Sequence, residues 1–169
     1  MCIIIDTCAL AGVFEPSSEK HEAFKPVLEW IVFGKGKIVY GGTKYKEELR
    51  KAIKYLKILL EFKKGGKLKE IDCNSVDRFE KTIKSHVQNA CNDPHLIAIV
   101  SASGCRIICT LDIKSFKYLQ KSDLYPVGIK KPKIYQNTTH KKLLVDENIA
   151  TVCKPALKGG KELAKILKN

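Results

Sequence analysis

The residues best placed to do chemistry are Asp6, Asp93 and Asp112. Asp6 ends the apolar run Cys2 to Ile5, and Leu111-Asp112 ends a strand expected over Arg106 to Thr110. An acid that finishes a short apolar stretch is how a central parallel strand delivers a polar group to its carboxyl edge. Ligands of open α/β sheets gather beyond that edge. Asp93 directly precedes Pro94, the pairing expected of a helix cap and first helical position, so it should stand at a helix mouth. Carboxylates brought together repel one another, and a cluster of them is tolerated chiefly when a cation or a shared proton occupies it. Oxygen-only ligands favour Mg²⁺ or Mn²⁺. Asp93 taken alone also reads as a plain helix cap. Asp6 and Asp112 resist so plain a reading, because a carboxylate ending a buried strand needs a partner.

The elements that must position these acids can be read from pattern. After the first strand, a helix is expected to follow the Glu15 to Ser18 loop, capped by Ser17 or Ser18, and to reach about Phe33, with Pro26 a point of kinking. Lys37 to Tyr40 reads as a second strand. Beyond Gly41 and Gly42, Thr43 is a candidate cap for one long helix to about Lys64, with Leu49, Ile53, Leu56, Leu59 and Leu60 on its buried face. A short extended piece over Leu68 to Ile71 precedes a helix capped by Ser75 that reaches about Ala90. The helix opened by Asp93 should end near Gly104. Strands alternating with helices imply right-handed crossovers, hence an α/β fold: a three-layer α/β/α sandwich around a central, mainly parallel sheet. Residues 1–136 carry this pattern, and 137–169 read as a basic C-terminal extension packed on the same domain. Within it, Pro155 to Leu167 reads as a basic terminal helix.

A chain of 169 residues suffices for one such domain, so one active centre is expected. The formal charge is +13, concentrated in residues 35–69 (+9) and 130–169 (+7). Such an excess favours polyanions, nucleic acid or an anionic membrane surface, although a solvated lysine-rich surface is an equally simple account. Membrane-surface binding has little support, since the amphipathic helices are needed for the core. The seven cysteines are an odd number, and the chain opens directly on a strand pattern without a signal peptide, which points to reduced thiols in a cytoplasm. Neither Cys105 with Cys109 nor Cys91 with His95 completes a four-ligand zinc pattern. No Ser-His-Asp or Cys-His arrangement is convincing either.

The order of these segments resembles the PIN-domain ribonucleases, over roughly Cys2 to Tyr135. The matching stretches are Ile-Ile-Ile-Asp-Thr at 3–7, Glu-Glu-Leu at 47–49, Asp-Pro-His-Leu-Ile at 93–97 and Cys-Thr-Leu-Asp at 109–112. The resemblance implies that Asp6, Asp93 and Asp112 bind metal and that a helix glutamate completes the set. Glu48, which precedes Leu49 directly, matches the family pattern better than Glu47, which stays an alternative. Thr110 looks like the family threonine that supports the carboxylates from behind. Two positions depart from the pattern. Cys8 stands where an Asn or Ser is common, and Ser115 precedes Phe116 where many members carry a further Asp, which puts a second metal position in doubt. Asn92 is a candidate neutral oxygen beside the site.

What the resemblance implies is a metal-dependent ribonuclease, expected to be an endonuclease. A carboxylate-held Mg²⁺ or Mn²⁺ would make water acidic enough to attack a phosphodiester, leaving a 5′-phosphate and a 3′-hydroxyl. Single-stranded RNA is the expected partner, with Lys44, Lys46, Arg50 and Lys51 nearest to hold its backbone. A second copy of the chain and an inhibitory protein, as in toxin-antitoxin pairs, are further partners the family suggests. The alternative reading is a catalytically degenerate PIN-like module that binds RNA or protein without cutting. A phosphoaspartate enzyme fits less well, because the Asp-x-Asp it resembles would need an acid where Cys8 stands.

Overall fold

In the computed structural model, which describes residues 2–87, 90–148, 150–159 and Leu163, five short strands form one parallel sheet. These are β1 (Cys2–Ile5), β2 (Lys37–Gly41), β3 (Leu68–Ile71), β4 (Ile107–Cys109) and β5 (Lys133–Tyr135), in spatial order β3-β2-β1-β4-β5. All four pairings are parallel. β1 is central and buried along its whole length, as a strand covered on both faces must be. Right-handed crossovers put the helices following β1 and β2 on one face and those preceding β4 and β5 on the other, giving the expected three-layer sandwich.

The topology fixes where a site can form. The chain steps from β1 outward to β3, then returns across β1 to β4. The crevice between the carboxyl ends of β1 and β4 is therefore the topological switch point, the place where such sheets bind ligands. Pairing of Ile5 with Cys109 brings the residues just beyond both strands side by side.

Several helices differ from the sequence expectation. After β1 the chain enters a 3₁₀ turn at Thr7–Ala9 and a short helix α1 (Leu10–Phe14), with no counterpart in the expected pattern. Helix α2 (His21–Phe33) is capped at Lys20 rather than at Ser17 or Ser18, and it runs through Pro26 unbroken. The expected long helix over 43–64 is two, α3 (Thr43–Lys51) and α4 (Ile53–Lys64), separated at Ala52. The break changes phase: α3 buries Tyr45 and Leu49, whereas α4 buries Tyr55, Leu59 and Phe62. An unbroken helix returns to one face after seven residues, at Leu56 rather than Tyr55. Ile53 and Leu60, expected on the buried face, are consequently 70% and 55% exposed.

Thr43 does not cap α3. Gly42 occupies that position at φ +81°, and the Thr43 hydroxyl donates to Asp77 instead. A Cβ at Gly42 would stand 2.6 Å from a Val76 methyl, so both the backbone angle and the close approach require glycine. Helix α5 (Cys73–Val87) is preceded by Asp72, whose carboxylate accepts from the Ser75 amide and hydroxyl. Helix α6 (Pro94–Ser103) ends at Gly104 with φ +66°, and α7 (Ile113–Leu119) follows β4, as the order of elements requires.

The segment beyond β5 is anchored to the sandwich. Lys67, 1% exposed, donates from its ammonium to the carbonyls of Gly34 (2.6 Å) and Leu157 (2.8 Å). The Gly159 amide donates to the same Gly34 carbonyl at 3.2 Å. Cys153 is buried beside the Cys2 thiol. Of the terminal helix expected over Pro155 to Leu167, residues 155–159 are not helical, and the rest, apart from Leu163, lies outside the described residues. All seven cysteines are free. Among the described residues no helix is long and apolar enough to cross a membrane.

Candidate functional site

Four carboxylates reach the switch-point crevice from four separate elements. Asp6 follows β1 and is 4% exposed, with its amide donating to the Cys109 carbonyl at 2.9 Å. Across the crevice, Thr110 is fully buried and its hydroxyl donates to Asp6 Oδ2 at 2.6 Å. The same Thr110 oxygen accepts the Asp112 amide at 3.0 Å. One hydroxyl thus fixes the position of one acid's carboxylate and the other acid's backbone.

Asp112 opens α7, and its Oδ1 accepts the Lys114 amide at 2.9 Å. Asp93 opens α6. A helix that runs against the strands begins at their carboxyl edge, so its N-terminal residue arrives there. Asp93 caps α6 through its backbone alone, with no side-chain bond to the helix amides. Its carboxyl faces that of Asp112 instead. Burial, the Asp6 charge, the contact with Asp112 and the Glu48 charge together raise the Asp93 carboxyl to about 7. Two carboxyls held this close favour a proton between them, and Asp93 carries it below that pH.

Glu48 lies in the second turn of α3, half-buried, where Oε2 accepts the Thr7 hydroxyl at 3.1 Å. Lys44 Nζ stands 3.7 Å from its other oxygen. Glu47 is exposed and lines a surface cleft with Lys81 and Lys84 on the side of α5. Glu48 is therefore the glutamate that faces the aspartates. Tyr45, one turn earlier and 1% exposed, donates its hydroxyl to the Ile5 carbonyl and ties α3 to the end of β1.

Sequence reasoning missed Thr7 and Tyr45; His95, one turn into the helix opened by Asp93, reads from sequence chiefly as a packing or surface residue that could also face the site. His95 is 1% exposed with Nε2 at 3.5 Å from Glu48 Oε2, yet neither ring nitrogen has a hydrogen-bond partner among the described residues. Burial holds its imidazole below the ordinary value despite the nearby acids. The signal available was spacing: Tyr45 and Glu48 are three apart on one helix, and His95 lies two residues beyond Asp93. Cys8 donates its thiol to Asp6 Oδ2 at 3.1 Å. Burial first, and then the Asp6 charge, push that thiol up to about 11, so it acts as a proton donor to the carboxylate.

Among the described residues neither Ser115 nor Asn92 is hydrogen-bonded to the carboxylates of the four acids. Ser115 is buried and donates to the Asp112 carbonyl at 2.7 Å, a bond within the first turn of α7. Asn92 is exposed and lines a groove beside the site. Of the basic residues, Lys46 is committed to Glu70 on β3, while Arg50 and Lys51 are exposed in the last turn of α3.

Among the described residues no group of three or more His, Cys, Asp or Glu side chains is disposed to hold a metal ion as placed. The donor chemistry nonetheless suits a hard cation. The four acids offer oxygen alone, and burial together with the neighbouring carboxylates raises Asp93 to about 7, a strain a cation would relieve. Magnesium in particular needs only one or two direct carboxylates and keeps several waters. Comparison with family models, curated proteins and solved structures finds no match for the chain.

Proposed function

We propose that the protein is a Mg²⁺- or Mn²⁺-dependent ribonuclease of the PIN type, with Asp6, Glu48, Asp93 and Asp112 as its acidic centre. The observation that carries this reading is the Thr110 hydroxyl between Asp6 and Asp112 at the switch point. It holds two strand-end acids together at a place where repulsion would otherwise separate them.

Asp6 and Asp112 are the residues to hold the cation. Asp93 joins them by giving up the proton it shares with Asp112. Glu48 completes the negative rim and is steadied by Thr7. A bound divalent ion would supply a Lewis acid for the phosphodiester and an acidified water to attack it. No protein nucleophile is required. Arg50 and Lys51 are the basic residues of α3 left to meet the RNA backbone. The test is calorimetric titration with Mn²⁺ alongside cleavage of single-stranded RNA, in the native chain and in Asp6→Asn and Asp112→Asn. Metal-dependent cleavage lost in both variants supports the reading, and cleavage retained in both defeats it.

A second reading has its own observation. Ser115 is spent on the Asp112 carbonyl and offers no acid, so a second cation lacks a ligand there. A module that binds RNA or a partner protein without cutting would fail to take up Mn²⁺ in the same titration. The family suggestions of an inhibitory partner and a homodimer belong to the same proposal.

A further inference from the structure

Beside the acidic centre, between the Ala90–Asn92 loop and α7, lies a groove of about 290 Å³ lined by Ala90, Asn92, Ile113, Lys114, Lys117 and Tyr118. It begins where the acids end. Asn92 adjoins Asp93, and Ile113 and Lys114 directly follow Asp112. The volume is at the small end of ligand pockets, which run to about 300–1,000 Å³.

Its position separates it from the other acid-free basic groove, which is lined by Arg106, Lys130, Lys131 and Lys133 and does not adjoin the aspartates in the chain. The two lysines that precede Glu48 on α3 are committed, Lys44 to Glu48 itself and Lys46 to Glu70. Among the described residues neither Lys114 nor Lys117 forms an ion pair, and no carboxylate lines the groove. Two uncompensated cations therefore face the same opening. Apolar surface accompanies them. Ile113 is 73% exposed, an unusual state for a large aliphatic side chain immediately beside a polar site, and the half-buried Tyr118 ring forms part of the wall. Lys117 Nζ stands 4.9 Å from the centroid of that ring, so cation and aromatic surface are within the span of one nucleotide.

We propose that this groove binds one nucleotide of single-stranded RNA, next to the phosphodiester presented to the acids. Its phosphate meets Lys114 and Lys117, and its base lies against Tyr118 and Ile113. Asn92 offers an amide to the base edge or the 2′-hydroxyl. A base can reach an aromatic wall only when it is unstacked, so a paired strand is excluded from the groove. The assignment to the strand being cut rests on the ribonuclease reading, but binding in the groove needs no metal.

The test is fluorescence anisotropy with the full chain in EDTA, using a short labelled single-stranded RNA, its annealed duplex and the single-stranded DNA of the same sequence. The double variant Lys114→Ala/Lys117→Ala should weaken binding of the single-stranded RNA about tenfold and lower the salt slope by about 1 to 2. Ile113→Ser and Tyr118→Leu should each weaken it about fivefold or more while leaving the slope unchanged, as loss of base contact does. Ile113 is a surface residue, so its variant decides the matter even if Tyr118→Leu is poorly folded. Unchanged affinity in the lysine pair and in Ile113→Ser would overturn the proposal. Equal, groove-dependent binding of the duplex or of DNA would overturn the assignment to single-stranded RNA. Metal-dependent cleavage is scored separately: absent cleavage with groove-dependent binding sinks the nuclease alone, and cleavage indifferent to the groove sinks this site alone.

Discussion

The Thr110 hydroxyl and the Asp6 carboxylate, 104 residues apart in sequence, share a 2.6 Å hydrogen bond across β1 and β4. The bond is buried and charge-assisted, the strongest kind a neutral side chain makes. It ties the acid of the central strand to the strand that returns beside it. Removing the hydroxyl without changing the shape isolates its contribution: Thr110→Val should weaken Mn²⁺ binding by about 10–100-fold in calorimetry, as loss of an outer hydrogen bond to a metal ligand does. Affinity equal to the native chain would show that Asp6 needs no such support.

If Asp6 and Asp112 hold the cation as proposed, neutralising either should act on chemistry more than on folding. Asp6→Asn and Asp112→Asn are expected to lower Mn²⁺-dependent RNA cleavage by about 100-fold or more, since a bound cation is worth several kcal/mol to the transition state. Circular dichroism melts of both variants should stay cooperative. A fall in activity matched by loss of the melt would count against a catalytic role.

The raised Asp93 carboxyl makes stability depend on pH in a definite direction. Between an ordinary value near 3.8 and about 7 the folded chain binds a proton that the unfolded chain releases. Metal-free stability from this group is therefore greatest at acidic pH and is lost as pH rises through about 7. Urea unfolding at pH 5 and pH 8 should show that decline in the native chain and a smaller one in Asp93→Asn. Mn²⁺ binding at pH 6 should release a proton, visible as a dependence of the measured heat on the buffer. Heats independent of buffer would place the shared proton elsewhere.

Gly42 sets the direction in which α3 leaves β2 and so where Glu48 points. Gly42→Ala forces a side chain into a left-handed backbone and against Val76, a cost of about 1–3 kcal/mol. Chemical denaturation should register that loss, with cleavage reduced as well. A neutral substitution would mean that the α5 contact yields easily.

Four of the five strands are legible as short apolar runs, and Leu68–Ile71 falls where pattern alone puts it. By contrast β5, only three residues long in a lysine-rich stretch, and α7 carry too little periodicity to be read, and the spatial order of the strands comes from the fold. The helix boundaries were not legible. A run of leucines and lysines from 43 to 64 fits one amphipathic helix, and only packing against the sheet reveals the phase change at Ala52. Capping was misjudged at Thr43 and Ser75 because Asp77 and Asp72 compete for those hydroxyls. Asp6, Asp93 and Asp112 could be nominated from strand ends and a helix mouth. Glu48 is preferred to Glu47 in the sequence only through its place before Leu49, and the structure adds that the Thr7 hydroxyl meets it. The groove on α7 left no trace in the linear pattern, since Asn92 and Tyr118 become neighbours only through the fold.

The ammonium of Lys67 has a practical implication for how the chain is divided. One of its two carbonyl partners comes from Leu157, so cutting the protein after β5 would strip half the solvation from an interior cation. The Gly159 amide clasps Gly34 from the same side, and any side chain at 159 would collide with the Val32 carbonyl. Residues 137–159 thus behave as a buckle rather than a tail. Shortened versions that stop at 136 should be expected to aggregate, and tags belong beyond Gly159.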